Sequence, residues 1–283
     1  MRITSDWHIH SRNSCDAACM TVAELVSRAD EKGITDFGLT DHLHTPFNLP
    51  DVAASRREFL AANPSPRFHF GVEISCVSQW ELDEIAAGKY ENPVFGLRSG
   101  GPVGGAPAIG ITSADIERYD IEYVVAGAHW PKYDPIEREA IIRSYHRQNM
   151  FLVTHPLVDI VAHPWWWAGA WKDADGRYTA EPWLDDFRRI PASMHEEFAS
   201  AAIHECKVVE INLDAMLLTS AYPEAFKRQY LDYLAHLNQR GVKLSTGSDC
   251  HDEHYDIDFE KAASMLESVG IRDEDLWRLP PRA

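Results

Sequence analysis

Short apolar runs alternate with amphipathic stretches along almost the whole chain. Seven of these runs are rich in β-branched residues and have the length of strands; they lie at residues 2–10, 34–42, 67–75, 121–130, 158–164, 207–213 and 241–251. Several of the intervening stretches carry apolar residues at the spacing of amphipathic helices. Because strand and helix patterns alternate from end to end, the sequence predicts a parallel α/β fold built of βα units.

The helix signals are specific enough to give bounds. Val22, Leu25, Val26 and Ala29 lie on one face of a segment that ends at Gly33, which predicts a helix over 21–33. The same reasoning predicts the remaining helices over 52–63, 135–149, 193–206 and 223–241. Seven strand units over the full length favour a closed barrel, and an open sheet is the alternative.

One segment breaks this alternation. Residues 96–110, with the sequence GLRSGGPVGGAPAIG, are rich in glycine and proline and lack the GK[ST] ending of a phosphate-binding P-loop. We interpret the segment as an irregular loop insertion, either a lid or a simple flexible connection. Because the sequence shows no internal repeat and no linker, we expect residues 1–283 to form a single domain.

Polar residues cluster where the predicted strands end. Histidine or a carboxylate residue closes six of the seven strands, and the set is His8, His10, Asp41, His42, Glu73, His129, His163, Asp249 and His251. The carboxyl ends of the strands of a parallel barrel meet at one face, where active sites lie. A single histidine at a strand end is more often structural, but the joint pattern indicates a metal site.

The spacing within the motifs supports shared ions. Residues two apart on a strand point to the same side, so His8 and His10 can bind one ion together, as can Asp249 and His251. Nitrogen and oxygen donors suit Zn²⁺, Mn²⁺ or Fe²⁺ and do not choose between them. Because the candidates exceed the four ligands of one tetrahedral ion, we expect two or three divalent metal ions.

These motifs resemble the PHP (polymerase and histidinol phosphatase) family of metal-dependent phosphoesterases. The matching stretches are DWHIHS, LTDH, GVEIS, IVAHP and GSDCH, which follow the family's order from residue 6 to residue 251. The resemblance implies a distorted (β/α)7 TIM-like barrel with usually three metals at the carboxyl ends of the strands. This fold agrees with the seven strands that the hydrophobic pattern predicts.

The resemblance also implies which residues form each metal subsite. The ligands are His8, His10, Glu73 and Asp249 for the first ion, Glu73, His129 and His163 for the second, and Asp16, His42 and His251 for the third. Glu73 would bridge the first two ions. Asp16 stands where some family members carry histidine and others carry aspartate.

The reaction that the resemblance implies is hydrolysis of a phosphate ester. Clustered cations lower the pKa of a bridging water and neutralise phosphate oxygens, so we expect in-line attack of a metal-bridging hydroxide on a phosphomonoester. Glu73, Asp249 and His251 are the expected catalytic residues. The expected substrate is a small phosphorylated metabolite of the histidinol phosphate, nucleotide or sugar phosphate class.

Some residues outside the metal set are candidates for substrate contact. Arg12 in the first loop and Arg143 on a predicted helix could each hold a phosphate by a bidentate contact, and an exposed charge is the alternative for both. The stretch HPWWWAGAW offers rings that could stack on a ring-bearing leaving group, and core packing is the alternative. These rings, with Trp165 as the first candidate, are Trp165, Trp166, Trp167 and Trp171.

Charge and composition narrow the possible partners. The 283 residues carry a formal net charge of −17 and no run of Lys or Arg, which disfavours nucleic acid as a partner. The sequence has no apolar run of about 18 residues and no signal-peptide pattern, so no membrane segment is expected. An odd count of 5 cysteines without a secretory signal predicts reduced thiols and a cytoplasmic protein.

Three other functions compete with a phosphomonoesterase. A phosphodiesterase or exonuclease would share the same metal chemistry, but the acidic chain lacks a basic stripe. An amidohydrolase commonly adds a strand-borne lysine as a carboxylated bridge, and no lysine closes a predicted strand here. A non-catalytic metal-binding regulatory module would be expected to have lost ligands, whereas this chain retains the whole set.

Overall fold

Seven parallel strands form the wall of a barrel. The computed structural model describes residues 1–16, 18–166, 170–172 and 178–282, without the side chains of 170–172 and 178–182. In chain order the barrel strands are β1 Ser5–Ile9, β2 Asp36–Leu39, β3 Phe68–Ser78, β4 Tyr123–Gly127, β5 Ile160–Ala162, β6 Val208–Asn212 and β7 Lys243–Gly247. Each strand pairs with the next in sequence, which confirms all seven predicted strands.

The helices cover the outside of the barrel or connect its strands. They are α1 Val22–Lys32, α2 Leu49–Ala61, α3 Gln79–Ala86, α4 Ser113–Tyr119, α5 Arg138–Thr154, α6 Ala192–His204, α7 Glu224–Arg240 and α8 Phe259–Glu267. Single turns of 3₁₀ helix lie at Pro46–Asn48, Phe187–Arg189 and Asp273–Asp275, and a π-helix lies at Leu213–Leu218. Across the described residues, each helix is too short or too polar to cross a bilayer.

Helix α1 shows why the sequence signals worked. The Thr21 side chain accepts a hydrogen bond from the Glu24 backbone N–H, and the Glu24 carboxylate accepts one from the Thr21 N–H at 2.8 Å. Gly33 ends the helix in the left-handed conformation (φ 73°), which glycine adopts without strain. Of the four residues on the predicted apolar face, Val22, Leu25 and Ala29 are buried and Val26 is half-buried.

Other bounds differ from the sequence predictions. Helix α2 begins three residues before residue 52, and α5 begins at Arg138 and continues to Thr154. Helices α3, α4 and α8 were not predicted, and each has fewer than ten residues. Helix α8 nevertheless buries Phe259, Ala262, Ala263 and Leu266 at helical spacing, which was an available signal. The segment 96–110 was expected to be irregular throughout, but Pro107–Ile109 pairs antiparallel with the end of β3 because this end extends past its parallel neighbours.

Two short pairings lie outside the barrel wall. His42–Leu43 forms a short parallel strand beside Glu73 and Ile74 of β3. The strands Ala170–Lys172 and Tyr178–Pro182 pair antiparallel as a separate hairpin. The first pairing matters for the site because it brings the predicted ligand His42 next to the predicted ligand Glu73.

The two faces of strand β3 lie against different parts of the protein. Phe70, Val72 and Ile74 belong to the main hydrophobic cluster between the strands and the helices. The alternating positions, including Gly71 and Glu73, face the opposite side, which is the barrel interior. The ring of Tyr123 fills the space that the missing side chain of Gly71 leaves, because a Cβ there would lie 2.6 Å from the ring. Apolar packing therefore fills one end of the interior and leaves polar residues at the other.

The barrel closes between β7 and β1 through a buried carboxylate. The backbone N–H of Asp249 donates to the carbonyl of His8 at 2.7 Å. Asp6 accepts hydrogen bonds from the backbone N–H of Ser248 at 2.8 Å and of His8 at 3.2 Å, and from the Tyr255 hydroxyl at 2.6 Å. Burial raises the pKa of Asp6 to about 6, against the opposing effect of these donors. Asp6, on the first strand of the barrel, therefore links that strand to the residues that follow the last strand.

We predict that Asp6→Ala lowers the free energy of unfolding by about 3 kcal/mol, because it leaves two buried N–H groups and a hydroxyl without their acceptor. Asp6→Asn retains one carbonyl oxygen for the N–H groups and should destabilise the protein less. The measurement is urea denaturation in the presence of a chelator, so that metal binding does not contribute. Equal stability of Asp6→Ala and the unaltered protein would contradict this role.

Candidate metal centre

The predicted ligands converge at one end of the barrel. Each lies at or just beyond the carboxyl end of a strand, or in a loop that follows one, because all seven strands run in parallel. The residues that the structure brings together there are His8, His10, Asp16, His42, Glu73, His129, His163, Asp249 and His251. Sequence positions from 8 to 251 thus meet in one cluster.

Glu73 occupies the middle of this cluster and is fully buried. Its Oε1 lies 3.0 Å from Nε2 of both His129 and His163. Its Oε2 lies 3.1 Å from Nε2 of His8 and 2.7 Å from Nδ1 of His42. Because the two oxygens face different histidines, this carboxylate has the geometry to be shared between two cations.

The first group of donors surrounds the Oε2 side of Glu73. His10 Nε2 lies 3.0 Å from His8 Nε2, 3.5 Å from Glu73 Oε2 and 3.2 Å from Oδ1 of Asp249. Donor atoms around an ion with bonds of about 2.1 Å stand about 3.0–3.5 Å apart. These four residues therefore present donor atoms at the mutual separation that one cation requires.

A second group lies nearer the solvent. Asp16 Oδ2 is 2.9 Å from Nε2 of His42 and 2.6 Å from Nε2 of His251. The donor atoms of His10 also lie within 4.8 Å of this group. His251 and Asp16 are less buried than the first group, so this is the most accessible part of the cluster.

Two further groups complete the set of candidate cation sites among the described residues. His42, Glu73 and His129 form one, and His8, His163 and Glu210 form the other. The sequence analysis placed His163 with His129 and Glu73, and the structure does bring these three together through Glu73 Oε1. Glu210 was not among the predicted ligands, although it lies at the end of a predicted strand.

Hydrogen bonds fix the orientation of the histidines. Nδ1 of His8 lies 2.6 Å from the Glu210 carboxylate, and Nδ1 of His251 lies 2.7 Å from the backbone carbonyl of Asp249. An imidazole whose Nδ1–H donates to an oxygen has its Nε2 lone pair free for a cation. Both Nε2 atoms face the cluster, so these bonds prepare the rings for metal binding.

Glu210 contributes more than one contact. Its second oxygen accepts a hydrogen bond from the backbone N–H of His163 at 2.8 Å. Asn212 donates to Glu210 at 3.2 Å and to Asp249 at 3.1 Å. Residues of β6 therefore hold one ligand from β1, one from the end of β5 and one from the end of β7.

The backbone around the ligands has little freedom. His163 and Asp249 both have positive φ values, 26° and 56°, which are uncommon for residues other than glycine. Gly127 provides the room for the His163 ring, since a Cβ there would lie 2.4 Å from its Cε1. Gly247 provides the room for Glu210 in the same way. The ends of β4 and β7 therefore require glycine because of the side chains beside them.

The excess of negative charge changes the protonation of the cluster. Burial alone would raise the pKa of Glu73, but His42 and His8 outweigh it and hold this pKa well below its usual range. At His8, burial would lower the pKa, but Glu73 and Glu210 raise it well above the ordinary value. Protons on histidine thus compensate the carboxylates, and divalent cations would replace those protons.

Other histidines of the cluster favour the neutral form that binds metals. Burial, followed by His251 and His42, lowers the pKa of His10 to about 3. Burial also lowers the pKa of His129 to about 4, although Glu73 acts in the opposite direction. Neutral imidazole is the ligand form of histidine, so these two rings need no proton release to bind a cation.

Unpaired polar atoms test whether a cation fits. Oε2 of Glu73 and Nδ1 of His42 are buried and lie 2.7 Å apart as an ion pair, but neither atom has hydrogen-bond geometry to a partner among the described residues. A buried ionised oxygen without a partner is strongly unfavourable unless a cation lies beside it. The donor set of nitrogen and oxygen atoms fits divalent ions such as zinc or manganese.

The sequence analysis missed two residues beside the ligands. His44 lies two residues after His42, and its ring stacks on the His42 ring with centroids 4.5 Å apart. Ser75 lies two residues after Glu73 on the same face of β3 and contacts both His44 and His129. The period-two alternation of β3 from Glu73 to Ser75 was the available signal.

Two of the proposed substrate residues are exposed arginines, and the third is a buried tryptophan. Arg12 is exposed and pairs with Glu58 at 3.3 Å, and Arg143 is exposed on α5. Trp165 is 1% exposed and contacts His195 in the core.

Trp166 is the tryptophan that contacts the cluster, with ring centroids 5.2 Å from His163 and 6.4 Å from His129. Its side chain is half-buried. Trp167 and the side chain of Trp171 lie outside the described residues.

Comparison with known proteins gives a family and a fold. A model of the PHP domain matches residues 6–173. The structure of a histidinol phosphate phosphatase from Lactococcus lactis subsp. lactis, complexed with zinc, L-histidinol and phosphate, is similar with a TM-score of 0.60. The two share 17% sequence identity over 95% of this chain and 94% of that chain. No curated protein sequence matches this chain significantly.

Two other solved structures are more distant. A Xaa-Pro dipeptidase with bound methionine has a TM-score of 0.37 at 12% identity over 95% of this chain and 60% of that chain. Dihydropteroate synthase from Thermus thermophilus, in complex with 4-aminobenzoate, has a TM-score of 0.41 at 11% identity over 96% of this chain and 87% of that chain. These scores are too low to support an argument about this protein.

The matched segment 6–173 covers more than half of the chain and contains the first four of the five motifs. Asp249 and His251 lie beyond it, and the structure brings both to the same cluster. The fold, the motifs and the family match agree, and the chain therefore belongs to the PHP domain family of metal-dependent phosphoesterases.

Proposed function

We propose that this protein is a phosphomonoesterase that hydrolyses a small phosphorylated metabolite. The observation that carries the proposal is the position of Glu73, which is fully buried and directs one oxygen to His129 and His163 and the other to His8 and His42. A shared carboxylate of this kind suits a pair of adjacent divalent ions, and such pairs are used in phosphoryl transfer.

We infer three ion positions from the donor groups. The proposed ligands are His8, His10, Glu73 and Asp249 for the first ion, Glu73, His129 and His163 for the second, and Asp16, His42 and His251 for the third. The proximity of His10 to the third group and of Glu210 to His8 and His163 supports a connected cluster rather than three separate sites. Zinc, manganese and iron all fit these donors.

The ions, when bound, would supply hydroxide at neutral pH and neutralise phosphate oxygens. The chain's own residues would hold the site in place. Glu210 fixes the His8 ring and the His163 backbone, and Asn212 fixes Asp249. The buried inner part of the cluster excludes bulk water, and the less buried Asp16 and His251 lie where a substrate would enter. We propose Glu73, Asp249 and His251 as the catalytic residues.

A small substrate is favoured over a polymer. The Lactococcus lactis phosphatase is complexed with histidinol and phosphate, which supports a phosphomonoester with a compact leaving group. The half-buried Trp166 ring, beside His163 and His129, is suited to stack on a ring-bearing leaving group. We therefore propose Trp166, in place of Trp165, as the aromatic contact for the substrate.

The first test is phosphate release by protein loaded with Mn²⁺ or, separately, with Zn²⁺. We expect release from phosphomonoesters and none from diesters or short oligonucleotides. Asp249→Asn should lower the rate by about a hundredfold or more. Asp249 is a proposed metal ligand, and changing a ligand should disturb the centre more than changing a residue that only supports a ligand. Asp232→Asn, on the exposed side of α7, is the matched control and should leave the rate unchanged.

Two outcomes would decide against the proposal. Cleavage of diesters or oligonucleotides with no release from monoesters would indicate a nuclease. Metal-loaded protein that releases phosphate from none of these substrates would indicate another hydrolysable bond or a binding role.

A second prediction concerns metal affinity. Glu210→Gln should weaken the affinity for Mn²⁺ or Zn²⁺ about 10–100-fold, because a neutral amide holds the His8 ring less strongly and places an NH₂ group against the His163 N–H. The measurement is competition with a metal-binding dye.

The chain offers a matched control for this variant. Glu122 also accepts from a histidine Nδ1, that of His69 at 2.6 Å, and from a backbone N–H, that of Phe70 at 2.9 Å. Neither Glu122 nor His69 belongs to a candidate cation group among the described residues. Glu122→Gln should leave metal affinity unchanged, and equal losses in the two variants would argue against a specific role of Glu210.

A further inference from the structure

Three side chains form a hydrogen-bonded chain at the edge of the metal cluster. Oγ of Ser75 lies 2.8 Å from Nδ1 of His129 and 2.6 Å from Nδ1 of His44. Nε2 of His129 lies 3.0 Å from Oε1 of Glu73. His44 belongs to none of the candidate cation groups among the described residues, so its place beside them calls for another role.

Ser75 has a single hydroxyl hydrogen, so it can donate to only one of the two histidines at a time, and this sets the direction of the hydrogen bonds. When His129 binds a cation through Nε2, its proton must be on Nδ1, which then donates to Ser75 Oγ. Ser75 can accept that bond and donate its own hydrogen to Nδ1 of His44. A neutral His44 that accepts at Nδ1 carries its proton on Nε2. Metal binding at His129 therefore selects the Nε2–H form of His44.

When no cation is bound to His129, the hydrogen bonds run in the opposite direction. Nε2–H of His129 then donates to Glu73, Ser75 donates to Nδ1 of His129, and Nδ1–H of His44 donates to Ser75. In that state Nε2 of His44 has a lone pair, which repels an anionic oxygen. The same three residues thus give His44 a donor in the loaded state and an acceptor in the unloaded state.

The buried ring of His44 contacts two proposed ligands and one exposed aromatic ring. Its ring stacks on His42, lies edge-on to His129 at a centroid distance of 5.4 Å, and lies 5.8 Å from the ring of Phe95. Phe95 is 48% exposed. The backbone of His44 is held by Asn48, whose side chain accepts from its N–H at 3.1 Å.

We propose that His44 binds the phosphoryl group of the substrate through its Nε2–H, and that Ser75 couples this contact to metal binding at His129. The proposal rests on the phosphoesterase function proposed above. His44 is a substrate-binding residue in this scheme, and Ser75 is a positioning residue that acts through its two neighbours.

The test is binding of inorganic phosphate to Mn²⁺-loaded protein, measured by calorimetry, with metal affinity measured in parallel. His44→Phe keeps a ring against His42 and should weaken phosphate binding about tenfold with metal affinity unchanged, since one hydrogen bond to a charged group is lost. Ser75→Ala should weaken both phosphate and metal binding, each about tenfold. Ser75→Thr keeps the hydroxyl and should restore both affinities.

A control and a double variant separate this scheme from a general packing effect. Ser245→Ala removes another buried hydroxyl in the barrel, one with no hydrogen-bond partner among the described residues, and should change neither affinity. In the double variant Ser75→Ala with His44→Phe, the loss of phosphate affinity should be smaller than the two single losses multiplied, because both act on the same donor.

The proposal is overturned by unaltered phosphate affinity in His44→Phe, by multiplicative losses in the double variant, or by unchanged metal affinity in Ser75→Ala. None of these readouts requires turnover. If the unaltered protein binds phosphate as described but hydrolyses no monoester, the proposed function fails and the coupling between His44 and His129 stands. If it hydrolyses monoesters and the variants bind phosphate normally, the coupling fails alone.

Discussion

The structure depends on the burial of a carboxylate at the centre of a polar cluster. Glu73 is fully buried, and its Oε2 lies 2.7 Å from Nδ1 of His42 and 3.1 Å from Nε2 of His8 without hydrogen-bond geometry to either atom. A lone ionised group in such a place would be expelled or neutralised by a proton. Here the surrounding histidines hold it ionised, and their donor atoms converge on it from several strand ends. The barrel is the scaffold that makes this convergence possible, because parallel strands end at one face.

The packing of this cluster also explains why some neighbouring positions that hold no ligand require glycine. Gly127 has to lack a side chain because the His163 ring occupies that space, and Gly247 has to do so for Glu210. His163 and Asp249 adopt backbone angles that are unfavourable for their residue types. Such strain persists where hydrogen bonds hold the backbone in place, as the bonds from the His163 N–H to Glu210 and from the Asp249 N–H to the His8 carbonyl do here. The arrangement of the donors therefore determines much of the local structure.

The seven strands and their order could be predicted from the sequence because a short apolar run bounded by turns is a local signal. The grouping of His8, His10, Glu73 and Asp249 followed from the resemblance of the motifs to a family. The bounds of α2 and α5 and the strand at Pro107–Ile109 could not be predicted, because tertiary packing decides them. Helix α8 carries apolar residues at helical spacing and could have been found. The alternation along β3 places Ser75 on the same face as Glu73, but its role could not be predicted until its partners His44 and His129 were known.

An imidazole has two nitrogens, and a metal site has to control both. Nδ1 of His8 is held by Glu210, Nδ1 of His251 by a backbone carbonyl and Nδ1 of His129 by Ser75. The first two partners are acceptors only, so Nδ1 keeps its proton whether or not a cation is present, and only Nε2 changes its state. Ser75 can both donate and accept, so it fixes the tautomer of His129 only when a cation or another group determines the direction. The Ser75 hydroxyl therefore couples the two rings, because metal binding at His129 determines which nitrogen of His44 carries the proton.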